Sequence, residues 1–247
     1  MIVVNVESGW QIMYQSAHAL LAGRLATELC QLPKAPFWPE TLAAIVDHDD
    51  HKESFGKNLY LTDLGAPKDF TQVRFTARER FEEVQRRIEH GFRKHRWMGL
   101  LAARHAEELY RDQKVSKKLA DLLLAERKRR TVLLQEMKST EKALETAYAV
   151  LQWCDRTSLM LCQDEIPAMH RRIEIASLDD DQRYELWRRE DETIAVDPWP
   201  FRADQFEVQS EVRTLSQLTF SSDRELERCL KNCAVTVRSW TFQKSGR

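Results

Sequence analysis

Long apolar runs are missing from this sequence of 247 residues. No stretch of about 18 or more apolar residues is present, as a bilayer-spanning helix would require. The opening residues, MIVVNVESGW, lack the basic segment and apolar run of a secretory signal. We therefore expect a soluble, cytoplasmic protein without a membrane partner.

Paired cysteines and an excess of charge of one sign are missing as well. The five cysteines are an odd set without a CxxC motif, which favours free thiols in a reducing compartment. The 38 lysine and arginine residues nearly balance the 39 aspartate and glutamate residues, so no overall field attracts nucleic acid. The basic stretch at residues 126–130 has no interleaved aromatic residues for base stacking. We do not expect a nucleic-acid partner.

The hydrophobic pattern predicts a mainly α protein of the α+β class, folded as one domain over residues 1–247. Apolar residues recur at helical spacing through residues 16–165, which predicts a helical core. Residues 1–15 contain the pattern of a β-hairpin, and residues 194–243 contain further β-prone runs. Because an isolated hairpin is marginal in water, we expect these two end segments to form one small antiparallel β-sheet.

Breaks in the pattern divide the chain into separate helices. Residues 115–162 contain neither glycine nor proline, and we favour two antiparallel helices broken near Lys138 over one very long helix, because two can pack on the rest of the core. A bend is expected between Gly91 and Gly99. The predicted helices are residues 16–31, 40–51, 76–112, the two halves of 115–162, 182–192 and 222–232.

Three polar residues early in the chain are predicted to face the core. His18 shares its helical face with the apolar residues at i+3, i+4 and i+7. Asp49 shares a face with the apolar residues three, four and seven positions before it, while His48 is rotated from it by about 100° around the helix. Side chains in these directions can converge on one ion beside the helix.

Two further polar residues lie on apolar faces later in the chain. Asp155 has leucines at i−4 and i+4, and a carboxylate there is costly to bury unless it is paired or bound to a metal. His105 also leans towards leucines on its face. A single buried histidine is more often a hydrogen-bonded core residue than a ligand. Imidazoles and carboxylates together, however, suit a divalent ion such as Mn, Fe, Zn, Ni or Co better than Mg or Ca.

The order of these residues resembles the HD superfamily of metal-dependent phosphohydrolases: a histidine, an adjacent His48-Asp49 pair and a distant aspartate. Longer segments resemble an uncharacterised bacterial family, domain of unknown function 3891 (DUF3891), over nearly the whole chain. These segments are QSAHALLAGRLA, AAIVDHDDH, MGLLAARHAEEL, LQWCDRTSLMLC and VDPWPF.

The HD resemblance implies an HD-like helical core and a metal that activates water for attack on a phosphate ester. Carried onto this chain, it implies that His18, His48, Asp49 and Asp155 are metal ligands, with Asp49 able to bridge to a second ion. A bound cation lowers the pKa of its water and shields a phosphoryl group under attack. Asp49 and His105 are the catalytic candidates, His105 either as a ligand of a second metal or as a donor to the substrate.

Basic residues near His105 are candidates for binding the phosphate of a small phosphorylated substrate. Arg104 is adjacent to His105 in the sequence. A second set shares or adjoins one helical face, and its alternative is a solvated surface balanced by glutamates, which fits ordinary surface composition better. This set consists of Arg86, Arg87, His90, Arg93 and Lys94.

Three functions are compatible with this pattern, and we rank a metal-dependent phosphohydrolase first. The second is an HD-type metalloprotein with other chemistry, such as oxygenation, which requires redox-active iron. The third is a non-catalytic helical scaffold that retains a structural ion. A leucine stripe that could pack within a homodimer favours the scaffold, although such a stripe is more often core. The stripe consists of Leu119, Leu122, Leu123, Leu133 and Leu134.

Overall fold

The computed structural model describes residues 1–30, 35–49, 60–169, 171–178 and 182–245. Within these ranges the chain forms seven α-helices, which account for 49% of the residues, and a seven-stranded curled sheet, which accounts for 19%. None of the helices in the described ranges combines the length and the apolar character needed to cross a bilayer.

The helices follow the breaks predicted between them. His95 has an extended backbone and separates the third helix from the fourth, while Lys138 has a left-handed backbone with φ of 52° between the fifth and the sixth. Thr76 and Glu79 form a capping box that starts the third helix. The helices are α1 (Gln15–Glu28), α2 (Trp38–Asp47), α3 (Ala77–Lys94), α4 (Arg96–Leu109), α5 (Lys117–Glu136), α6 (Glu141–Cys162) and α7 (Asp223–Asn232).

The strands form one sheet in the order β1-β2-β6-β7-β5-β4-β3. The N-terminal hairpin joins the later strands through antiparallel pairing of β2 with β6, as predicted. The strands are β1 (Ile2–Val6), β2 (Gly9–Met13), β3 (Ile173–Glu174), β4 (Glu185–Arg188), β5 (Ile194–Asp197), β6 (Gln205–Leu215) and β7 (Val235–Gln243).

The predicted fold, an HD-like helical core with a small antiparallel sheet, is wrong. The sheet is a mixed half-barrel, because β5 runs parallel to β7 and because β3 and β4 extend it beyond the two end segments. The helix predicted at residues 182–192 is replaced by strand β4. Tyr184 and Leu186 are buried there while the residues between and after them are partly exposed, which is the period of two of a strand.

Helix α1 connects the sheet to the other helices. It packs against β6 and also against α2 and α6. Its apolar residues Leu21, Ala22 and Leu25 are fully buried, which confirms the predicted inward face of this helix. Because His18 lies on the same face, its imidazole is also fully buried between these layers.

A glycine allows α1 and α2 to approach closely. A Cβ atom built on Gly23 would lie 2.5 Å from Cγ2 of Val46, far inside van der Waals contact. Only glycine fits this position without a shift of its neighbour. The close approach brings the end of α2 towards the face of α1 that carries His18.

Candidate metal centre

Four of the predicted site residues lie together where three segments meet. His18 is on α1 and Asp155 on α6, whereas His48 and Asp49 follow the last residue of α2 in a turn. We call His18, His48, Asp49 and Asp155 the histidine–aspartate cluster. The predicted helix over residues 40–51 ends earlier, at Asp47, so the two adjacent residues reach the cluster from a turn.

Each histidine of the cluster contacts an aspartate through its Nε2 atom. His18 Nε2 lies 3.3 Å from Asp49 Oδ2 and 3.8 Å from Asp155 Oδ1. His48 Nε2 lies 3.1 Å from the same Asp155 oxygen. Ligand atoms of His18, His48 and Asp49 all lie within 4.8 Å of one another, so these three residues form a triad that could hold a metal ion.

The other ring nitrogen of each histidine is fixed by an oxygen. The Ser158 hydroxyl donates to the Asp155 carbonyl oxygen and lies 2.9 Å from His18 Nδ1, where its lone pair can accept. His48 Nδ1 lies 2.6 Å from the Ile45 carbonyl oxygen, which can only accept. Both Nδ1 atoms are therefore positioned to donate, and Nε2 is the ring nitrogen that faces the carboxylates. A carboxylate can only accept, so the Nε2 lone pair is available to a metal only when that nitrogen carries no proton.

Two residues that sequence analysis did not assign to the site hold Asp49. The Arg87 guanidinium donates through Nη1 to Asp49 Oδ1 at 3.0 Å and to the His48 carbonyl oxygen at 3.3 Å, and its Nη2 binds Glu83 Oε1 at 3.1 Å. The Gln15 amide donates to Asp49 Oδ2 at 3.2 Å. Arg87 had been grouped with a solvated basic face, and only its Glu83 partner at i−4 was visible in the sequence.

The electrostatics of the cluster separate its acids from its bases. Burial opposes charge on His48, but the charge and hydrogen bond of Asp155, the charge of Asp49 and the bond to the Ile45 carbonyl together outweigh it and raise the pKa of His48 to about 9. Burial likewise opposes ionisation of Asp49, yet the bond from His18 and the charge of Arg87 hold the pKa of that carboxyl well below its usual range. At neutral pH the metal-free cluster thus contains ion pairs.

His105 lies beside the cluster without an aspartate partner among the described contacts. Its ring centre is 5.7 Å from that of His48, and its Nδ1 lies 3.5 Å from the hydroxyl of Tyr148. Burial lowers the pKa of His105 to about 4, so its imidazole is neutral at pH 7. A neutral ring offers one donor and one acceptor nitrogen.

Two cavities meet at these residues. The larger, of about 730 Å³, is lined by Asp49, Asp155 and His105, and its remaining wall carries both apolar residues and charged ones, three glutamates and three arginines. The smaller, of about 270 Å³, reaches His48 and His105 from the α2 and α3 side. The larger volume falls within the range of small-molecule sites, so a ligand in it would contact both carboxylates.

Arg104, the predicted phosphate contact, is held elsewhere. Its guanidinium binds Glu145 Oε1 at 2.9 Å and Glu108 Oε2 at 2.9 Å, and it lies 4.3 Å from the ring centre of Tyr148. Arg104 is not among the described residues that line either cavity. Arg87 lines both cavities.

Comparison with known proteins gives the family. Residues 1–217 match the family model described as "Protein of unknown function (DUF3891)". The chain belongs to this family. The match includes every residue of the histidine–aspartate cluster together with His105 and Arg87. No curated protein and no solved structure matches the chain.

Proposed function

We propose that the histidine–aspartate cluster holds a divalent metal ion and that the protein hydrolyses a phosphate ester in the larger cavity. The observation that carries this proposal is the orientation of His18 and His48. Both present Nε2 to the carboxylates while an oxygen atom fixes Nδ1, as outer hydrogen bonds do for metal-bound histidines. The order of the motif, resembling that of HD phosphohydrolases, supports the same chemistry.

The residues fit a divalent ion in both spacing and donor type. Ligand atoms about 2.1 Å from one ion lie about 3.0 to 3.4 Å apart at adjacent positions of an octahedron or a tetrahedron. The separations of 3.3 Å for His18 with Asp49 and 3.1 Å for His48 with Asp155 fall in that range, whereas the 3.8 Å between His18 and Asp155 exceeds it. Two imidazoles and two carboxylates favour Mn, Fe, Zn, Ni or Co.

The protein groups around the cluster have defined parts in this proposal. When bound, the ion supplies Lewis-acid chemistry, lowering the pKa of a coordinated water and offsetting the charge of the phosphoryl group. Arg87 and Gln15 orient Asp49, and His105 is placed to bind a second ion or to donate to a substrate oxygen. In the net reaction, the ester P–O bond is replaced by a bond to the water oxygen, and the leaving alcohol gains a proton.

A purely structural role is the competing explanation. His48 and Asp155 already form an ion pair, as do Arg87 and Asp49, and buried pairs of this kind exist without any catalytic purpose. What favours a functional site is that both carboxylates also line the larger cavity, at 13% and 16% side-chain exposure. A purely structural ion pair does not explain why both carboxylates line a cavity.

Elemental analysis tests the metal, and a panel of phosphomonoesters with added Mn or Ni tests the reaction. The variant is Asp49→Asn combined with Asp155→Asn, and the matched control is Asp47→Asn, because Asp47 pairs with Lys94 outside the cluster. We expect about one ion per chain and measurable turnover in the wild type and the control, and neither in the double variant.

The other outcomes contradict separate parts of the proposal. Equal metal content in the wild type and the double variant would contradict the proposal that the cluster binds a metal. Metal binding without phosphatase turnover in any tested ester would remove the hydrolase and leave a structural ion. Consumption of oxygen by an iron-loaded protein would replace hydrolysis with oxygenase-like chemistry.

A further inference from the structure

The smaller cavity is enclosed by four helices and differs in charge from the larger one. Its floor is apolar, formed by Ala44, Met98, Ala102 and Leu151 from α2, α4 and α6. Helix α3 contributes a further part of its lining. Three arginines line it and only one carboxylate, that of Asp47. The arginines are Arg86, Arg87 and Arg93.

The positive charge of this cavity is only partly compensated. Asp47 forms an ion pair with Lys94, so it offsets little of the arginine charge. Arg86 has its carboxylate partner, Glu83, at 3.6 Å. For Arg93, the contact found in the described part of the chain is a bond of 3.4 Å from Nε to the Glu89 carbonyl oxygen, and no described carboxylate lies within ion-pair distance.

We propose that the smaller cavity binds a small oxyanion of the orthophosphate type. An arginine guanidinium presents several fixed donors that match the oxygens of phosphate. The apolar floor strengthens this attraction, because the interaction between the anion and the arginines is less screened beside a surface of low dielectric constant. The site adjoins the metal centre, because His48 lines it, but its donors are arginines, so it does not require a bound metal or the proposed function.

The size of the cavity restricts the ligand to a small one. A volume of about 270 Å³ lies just below the range of about 300 to 1,000 Å³ typical of drug-sized ligands. It still exceeds several water molecules, each of which takes about 30 Å³ in the liquid. Orthophosphate with a few waters fits, whereas a large organic phosphate would have to extend into the solvent.

The position of Arg87 links this site to the metal centre. Arg87 lines both cavities and holds Asp49 of the cluster. His105 also forms part of both walls. An oxyanion in the smaller cavity would therefore lie next to the arginine that orients a proposed metal ligand.

Orthophosphate titrated into the full-length protein by isothermal calorimetry tests the site. Arg93 lines only the smaller of the two cavities and Arg80 only the larger, so Arg93→Met and Arg80→Met distinguish them. Arg78→Met is the control for the loss of one charge on the same helix, since Arg78 is exposed and pairs with Glu82. Wild-type protein stripped of metal by a chelator excludes phosphate held by an ion.

We expect one phosphate per chain, with affinity reduced about tenfold or more in Arg93→Met and unchanged in Arg78→Met, Arg80→Met and the metal-free wild type. Loss of binding in Arg80→Met with retention in Arg93→Met would move the anion to the larger cavity and overturn the proposal. No saturable binding in the wild type would also overturn it. Metal content measured on the same samples reports separately on the proposed function.

Discussion

Two clusters in this protein hold an aspartate in its charged form, and they are built differently. The histidine–aspartate cluster is buried and lines a cavity. The second cluster is at the surface, where Asp164 accepts bonds of 2.7 Å from both Arg188 and Arg238. It connects Asp164, the second residue after α6, to strands β4 and β7. Its carboxylate is 43% exposed.

A lowered carboxyl pKa is therefore not what distinguishes a site from a structural contact. The pKa of Asp164 is lowered, because its two arginines outweigh the opposing effect of burial, just as the pKa of Asp49 is lowered. The difference lies in the partners. Arginines cannot give up their protons to bind a metal, whereas the histidines of the buried cluster can. The buried cluster can thus exchange its protons for an ion.

The largest difference between the two clusters should come from removing one charge from each. Asp49→Asn should lower the affinity for a divalent metal at least about a hundredfold, since loss of a direct ligand exceeds the tenfold to hundredfold cost of losing an outer partner. Asp164→Asn should leave the metal affinity unchanged. Competition with a chelating dye measures both, and an equal loss in the two variants would contradict the comparison.

As pH rises, metal affinity should increase, whereas the stability that the ion pairs give the metal-free protein should decrease. A protonated His48 cannot bind a metal, so affinity should rise about tenfold per pH unit from pH 7 and level off near the pKa of about 9. Without metal, the raised pKa contributes stability that is fully present below the unfolded value of 6.5 and lost as pH rises through about 9. Metal titrations and urea unfolding across this range measure the two trends. Metal affinity that falls between pH 7 and 9 would contradict this prediction.

Removing the hydroxyl that fixes His18 should weaken metal binding about tenfold. Ser158→Ala leaves the Nδ1 proton without its acceptor and lets the ring turn. Thr157→Val is the matched control, because the neighbouring Thr157 hydroxyl is equally buried but donates to the Trp153 carbonyl oxygen instead. Metal affinity is the measurement, and a similar loss in both variants would indicate general damage to α6.

The smallest effect is expected at the surface cluster. Asp164→Asn should lower the free energy of unfolding by about 1 kcal/mol or less, because exposed ion pairs are screened by solvent. The wild-type contribution is present above the unfolded pKa of 3.8 and is lost as pH falls through the lowered folded value. Urea unfolding at pH 7 and at acidic pH measures it. A cost that persists unchanged in acid would rule out the charge as its source.

Local periodicity predicted the directions of single side chains but not their long-range partners. His18 and Asp155 lie on helices whose neighbouring apolar residues are buried, so their inward direction followed from the i±3 and i±4 positions. The pairing of Arg87 with Asp49 could not be predicted in this way. Nothing in the sequence between them indicates that α3 lies beside the turn after α2.

The prediction of the sheet was wrong for a related reason. Strand β4 has only four residues, and two of them, Glu185 and Arg188, are charged. A period of two cannot be recognised over so few positions, and the charged residues made the segment look like an exposed helix. The longer strands β6 and β7 were predicted correctly, but their place in a mixed sheet depends on pairings that one sequence does not reveal.

The close contact between Gly23 and Val46 determines how near α1 and α2 lie to each other at the site. The distance between α1 and α2, and with it the gap that separates His18 from the His48-Asp49 turn, is set by a missing methyl group. In a library randomised at position 23, metal affinity should therefore fall as the volume of the side chain increases. Selection for metal binding should recover glycine, even against variants that fold normally. A residue outside the histidine–aspartate cluster thus limits how far the two sides of the cluster can move apart.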